Sequence, residues 1–211
     1  MENIVIIGGG FGGLSFVKNA RKSKNNFTLI DKTNHHLFQP LLYQVATAVL
    51  SPADITVPIR NLFKNDKNVN VILDEVIDIN QQNNSLILKS GNEINYDKLL
   101  ISVGSSYSYF GNDHWSSYSN GLKNLNDALD IRDSILKAFE NAENEKNPEL
   151  KLSYLNFIII GGGPTGVELA GSIAELAYKN IKDEYRNFNT KDINVYLLEA
   201  GPDILPDYSK D

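Results

Sequence analysis

Met1-Glu-Asn-Ile-Val-Ile-Ile-Gly-Gly-Gly-Phe-Gly-Gly13 is the stretch from which the fold is read. Ile4 to Ile7 is an unbroken β-branched run, the pattern of a parallel strand buried on both faces. Gly8, Gly10 and Gly13 follow at G-x-G-x-x-G spacing, and Leu14 to Ala20 opens a helix with Leu14, Val17 and Ala20 on one face. Strand, glycine turn and helix in that order are the context a dinucleotide fingerprint requires. Gly8 permits the tight turn, Gly10 leaves room for a diphosphate, and Gly13 lets helix and strand approach closely. The diphosphate then faces free N–H groups at the positive end of the helix dipole.

Asn156-Phe-Ile-Ile-Ile-Gly-Gly-Gly-Pro-Thr-Gly-Val-Glu-Leu-Ala170 repeats the same grammar, with Gly161, Gly163 and Gly166 at the three glycine positions. Two such loops predict two dinucleotides, a flavin and a nicotinamide, exchanging a hydride. Each unit also has an acid at the end of its second predicted strand, the position that binds a ribose hydroxyl. Asp31 lies 18 residues past Gly13, and Glu199 lies 33 residues past Gly166, the longer gap being filled by an extended helix and loop.

The bulk numbers narrow the classes. Net charge is −6 and the pI about 5.1, which argues against nucleic acid as a partner. The sequence has no cysteine, so these residues can form neither a redox dithiol nor a thiolate metal site. His35 and His36 are adjacent and share no helix or strand face, so packed or capping histidines are expected and a metal site is not. No secretory signal and no apolar stretch of membrane-spanning length is visible, so a cytoplasmic, soluble chain is expected.

Between the two loops the pattern predicts Phe27 to Asp31 as a strand, a helix from near Leu41 to Ser51-Pro52, and a short one at Pro58 to Phe63. Val69 to Leu73 and Glu75 to Ile79 read as strands. Ser85 to Lys89 and Glu93 to Tyr96 complete a small antiparallel meander, with Asn83-Asn84 and Gly91-Asn92 as turns. Asp97 to Gly104 returns to a buried strand, and Ser105 to Gly121 is an aromatic loop containing Trp115. Asn124 or Asn126 caps a helix through Phe139, and Glu140 to Glu149 reads as a surface loop. After the second loop the helix runs to about Ile181 and a strand spans Ile193 to Leu198. The expected fold is α/β, with two Rossmann-like units of parallel sheet plus the meander. The expected division is residues 1–121 for a flavin-nucleotide domain, 122–154 for a connecting helix and loop, and 155–211 for a nicotinamide-nucleotide domain. A doubly wound domain needs strands beyond a single β-α-β, so both domains are expected to continue in a longer protein, and these residues alone to be inactive.

On these residues the sequence resembles the type II, non-proton-pumping NADH:quinone oxidoreductases of the pyridine nucleotide-disulphide reductase-like flavoproteins. The most particular marks are His36-Leu-Phe-Gln-Pro-Leu-Leu-Tyr-Gln-Val-Ala-Thr47 and Gly161-Gly-Gly-Pro-Thr-Gly-Val-Glu-Leu-Ala-Gly171, beside the first loop and Leu197-Leu-Glu-Ala-Gly-Pro202. The resemblance implies that Gly8, Gly10, Phe11, Gly13 and Asp31 bind FAD. It puts Gln39, Pro40, Leu41 and Leu42 by the isoalloxazine, Val76 at the adenine and Gly104 near the cofactor. NADH would be held by Gly161, Gly163, Thr165, Gly166 and Glu199. Glu168 would stand where nicotinamide or quinone meets the flavin; compensation of the helix dipole is an equal reading of that carboxylate. The resemblance further implies hydride transfer from NADH to FAD and two electrons passed to a membrane quinone. Docking on the inner face of the cell membrane would use a C-terminal part absent from these residues, and a homodimer is left open. Two other classes stay open: a related flavin-dependent NADH reductase with a protein acceptor, and a non-catalytic dinucleotide-binding module.

Overall fold

The computed structural model describes residues 1–206, 208 and 209. The chain forms two compact units: Met1–Leu37 with Thr56–Ser106, and Phe38–Ile55 with the chain from Tyr107 onward.

The first unit is built on a parallel sheet. β1 (Asn3–Ile7) pairs with β2 (Asn26–Asp31) on one side and β9 (Lys98–Ile101) on the other, and β5 (Val69–Leu73) adds to β2. Side chains alternate across a strand, so β1 feeds two cores. Ile4 and Ile6 join Phe27 and Leu29 under α1 (Phe11–Ala20) and α3 (Ile59–Leu62), with Leu14, Val17, Ile59 and Phe63. Val5, Ile7 and Ile30 face the other way, against Leu86 and Leu88 of the antiparallel meander. That meander is β6 (Val76–Asn80), β7 (Ser85–Leu88) and β8 (Glu93–Asn95). Burial of β1 on both faces is what its unbroken apolar run predicts.

Two features of this unit correct the sequence reading. Val69 to Leu73 is no part of the meander but the fourth strand of the parallel sheet, in register with Phe27 to Asp31. A small antiparallel pair, β3 (His35–Leu37) with β4 (Thr56–Pro58), was not foreseen. Three-residue strands carry too little alternation to register as period two. The segment excised between them, Phe38–Ile55, folds into the second unit.

In the second unit α2 (Leu42–Ala46) buries Leu42, Val45 and Ala46. It packs against α4 (Leu125–Asn144) and α6 (Pro164–Glu175). The predicted helix up to Ser51-Pro52 is shorter than expected: it stops at Ala46, and Ala48 turns left-handed at φ 61°. Asn124 caps α4 in a reciprocal box with Asp127. Ala128, Ile131, Ile135, Phe139 and Ala142 form its buried stripe. That stripe carries the helix to Asn144, so the loop expected at Glu140 to Glu149 is two helix ends instead. α5 (Pro148–Tyr154) begins within it, its first amides held by Asn147. β10 (Asn156–Ile160) and β11 (Asn194–Leu198) pair in parallel. α6 ends at Glu175 and one wider π turn continues to Asn180, matching the helical run expected to Ile181.

The long gap before β11 is an ordered arm. Phe188 stacks on both Tyr185 and Phe139, the Tyr185 ring lies tilted against Phe139, and Glu143 accepts the amides of Arg186 and Asn187. Burial, then the neighbouring Glu140 carboxylate, pushes the Tyr185 phenol up to about 12.

Candidate dinucleotide sites

Each unit places a glycine loop between a parallel strand, β1 or β10, and a helix N-terminus, and the two loops have the same geometry. Gly8 and Gly161 adopt φ of 103° and 108°, a region closed to side chains in practice. A Cβ on Gly13 would fall 1.9 Å from Gly8 O, and one on Gly166 would fall 1.9 Å from Gly161 O. These third glycines are therefore fixed by the contact of helix on turn. The second glycines behave oppositely: a Cβ on Gly10 or Gly163 would meet nothing within 4 Å. Both cap their helices in extended conformation, with no side chain closing the helix end. An open backbone position at a free helix N-terminus fits a diphosphate.

The strand-end acids bind the loops directly. Asp31 Oδ2 accepts the amide of Gly9 at 2.5 Å, and Glu199 Oε2 accepts the amide of Gly162 at 2.5 Å. Asp31 also accepts Thr33, through both its amide and its hydroxyl. Glu199 accepts Gly201 N at 3.0 Å. Hydrogen bonds from the Gly201, Gly162 and Ala200 amides hold the Glu199 carboxyl below its ordinary range. Each acid thus shapes its loop while keeping lone pairs for a ribose hydroxyl.

The other expected residues fall as follows. Phe11 opens α1, and its ring stands edge-on to His36 at 5.1 Å. His36 Nδ1 lies 3.3 Å from Gly9 O, so it is a packed histidine, as expected. Val76 is half-buried at the start of β6, and Gly104 takes φ 74° beyond the end of β9. β9 itself ends at Ile101, short of the Gly104 expected, and Ser102 Oγ then ties back to Ile7 O and Gly8 O at 2.9 and 3.1 Å.

In the second unit Gln39, Pro40 and Leu41 form one 3₁₀ turn, with Gln39 Nε2 donating to Lys123 O at 2.9 Å. Leu42 is buried in α2. Thr165 is exposed in the first turn of α6. Glu168 lies beyond that first turn, because α6 begins at Pro164, so dipole compensation weakens as its explanation. Instead Glu168 lines a cavity of about 210 Å³ with Tyr43, Gln44, Val49 and Ser172. Thr47 Oγ1, 2.6 Å from Ser172 Oγ, ties the C-terminal end of α2 to α6 there. The sequence reading missed Tyr43, Gln44 and Ser172 as neighbours of Glu168, and Thr47 as the partner of Ser172. Tyr43, Gln44 and Thr47 lie in the first of the two particular motifs, whereas Ser172 falls one residue past the second and carried no signal. Among the described residues no three metal-binding side chains cluster.

The sequence profile of the pyridine nucleotide-disulphide oxidoreductases matches residues 2–211. The chain belongs to this family. The sequence has no cysteine for the disulphide chemistry after which the family is called. The type II NADH:quinone oxidoreductase Ndh of Mycobacterium tuberculosis is 43% identical over 208 residues, covering 97% of this chain and 45% of that protein. The mitochondrial external alternative NADH-ubiquinone oxidoreductase of Yarrowia lipolytica is 29% identical, covering 99% of this chain and 38% of that protein. The structure of NDH2 from Plasmodium falciparum in complex with NADH superposes with a TM-score of 0.90 at 30% identity, covering 99% of this chain and 44% of that one. The chain thus spans less than half the length of each of these relatives.

Proposed function

We propose that this chain is part of an FAD-containing NADH:quinone oxidoreductase of the non-electrogenic type. The observation that carries the proposal is the duplicated cradle: an open second glycine, a third glycine seated on the first, and a strand-end carboxylate bound to the loop. The identity to proteins named as type II NADH:quinone oxidoreductases supports assigning the two cradles to flavin and nicotinamide nucleotides.

In this reading Gly8, Gly10, Phe11, Gly13 and Asp31 hold FAD, with Val76 and Gly104 as further contacts. Gly161, Gly163, Thr165, Gly166 and Glu199 hold NADH. The loop amides take the diphosphates, and the acids accept ribose hydroxyls. A bound flavin supplies hydride acceptance from NADH and two-electron delivery to a quinone. This chain's residues supply position and electrostatics, with Glu168 presenting a carboxylate to the cavity beside α2. Quinones partition into the bilayer, so the protein would work at the inner face of the cell membrane. No helix among the described residues is long and apolar enough to cross it.

The test uses the intact protein. Purified protein should carry one FAD and reduce a short-chain quinone with NADH. Flavin with NADH oxidation that only a small redox protein can discharge would favour the protein-acceptor reading. Absence of any dinucleotide binding would remove both.

A further inference from the structure

Gly9 and Gly162 are the buried middle residues of their loops, and each is held through both its amide and its carbonyl. Gly162 gives its amide to Glu199 at 2.5 Å, and its carbonyl accepts the Leu205 amide at 2.7 Å. Gly9 gives its amide to Asp31 at 2.5 Å, and its carbonyl faces His36 Nδ1 at 3.3 Å. The second grip is backbone in one unit and a side chain in the other. We propose that His36 is a positioning residue of the first cradle: its Nδ1–H holds the Gly9 carbonyl and so sets the direction of the Gly10 amide at the diphosphate site.

A carbonyl oxygen only accepts, so His36 must carry a proton on Nδ1. The Gly9–Gly10 peptide is trans, so its C=O and N–H point opposite ways. Fixing the carbonyl against His36 therefore fixes the Gly10 N–H away from it. Gly10 is the open position at the start of α1. The peptide is hemmed elsewhere too: a Cβ on Gly9 would fall 2.5 Å from Ile59 Cδ1 and 3.2 Å from Asp31 Oδ2. The imidazole is itself held edge-on by the Phe11 ring at an interplanar angle of 88°. Phe11 is the first residue of α1, so one ring contact joins the positioning group to the helix start. His36 comes from β3, where it is paired with Val57 of β4.

This inference rests on the reading that the first unit holds FAD. The experiment compares His36→Asn with His36→Gln in the intact protein. Asparagine Nδ2 stands where histidine Nδ1 stands; the glutamine amide is one bond further out. Apoprotein is titrated with FAD by flavin fluorescence, with NADH affinity and the thermal midpoint measured alongside. His36→Asn should bind FAD within about twofold of wild type. His36→Gln should lose about three- to tenfold, the loss of one hydrogen bond. NADH affinity should not change in either. Equal FAD affinity in both variants, whether preserved or reduced, would overturn the proposal, as would a shared fall in thermal midpoint with no difference in FAD binding. Wild-type protein that takes up no FAD would remove the underlying reading and this proposal together.

Discussion

A methyl group added at Gly13 would meet the Gly8 carbonyl oxygen at 1.9 Å, whereas one added at Gly10 would stand in open space. Two substitutions three residues apart should therefore fail differently. Gly13→Ala should cost about 3 kcal/mol of stability, because a backbone carbonyl cannot rotate aside as a side chain can. Gly10→Val should fold normally and, under the proposed assignment, purify without flavin, since its side chain would fill the space proposed for the diphosphate. Thermal melts and the flavin absorbance of the two variants check this; a Gly10→Val protein that stays yellow would place the diphosphate elsewhere. Glu199 allows a pH prediction. Amide hydrogen bonds depress its folded value below the ordinary 4.5, so its hold on the loop is present above that pH and lost as pH falls through the folded value. The Gly162 amide resonance should therefore stay constant as pH falls through the ordinary 4.5 and move only at lower pH, where the folded value is crossed. At this scale the sequence was informative: glycine spacing and the acid at each strand end identify residues whose geometry is dictated by sterics. The bonds from those acids to Gly9 and Gly162 were not legible, because they depend on how the strand end meets the turn.

β1, its loop and α1 were legible because one short stretch carries a strand period, a breaker and a helix period in succession. α4 was misread at its end because the residues after Phe139 are glutamates and asparagines; a single alanine, Ala142, keeps the buried stripe going. Val69 to Leu73 could be recognised as a strand but not assigned to a sheet, since pairing with Phe27 to Asp31 is a long-range choice. α2 ended early for a reason that can be tested. Ala48 sits at φ 61° while the Val49 and Leu50 amides both reach Gln44 O, at 2.8 and 3.1 Å. This is a helix end closed by a left-handed residue, normally glycine. Relief of that conformation, less the entropy of a glycine in the unfolded chain, should make Ala48→Gly more stable by about 0.5–1 kcal/mol. A urea midpoint unchanged or lowered would show that the turn is not strained.

Each unit carries one complete cradle, so in the intact protein the two nucleotides should be separable by mutation. If Glu199 holds the ribose as proposed, Glu199→Ala should raise the Michaelis constant for NADH and narrow its advantage over NADPH, whose 2′-phosphate the carboxylate would repel, while bound FAD stays at wild-type level. Steady-state kinetics with both nucleotides check this; an unaltered preference would take Glu199 out of the site. The pairing of Glu168 with Tyr43 and Gln44 lay beyond the sequence, because it requires α2 to leave the unit whose strands flank it. That excursion also bears on how the protein is made. Leu42, Val45 and Ala46 emerge from the ribosome long before α4 and α6, their burial partners. α4 starts roughly 80 residues later, which at about 5–20 residues per second is roughly 4 to 16 s of synthesis. Until then the apolar side chains of Phe38–Ile55 lack their burial partners. The nascent chain thus offers a chaperone one defined, transient ligand, and a protease one window in which to cut.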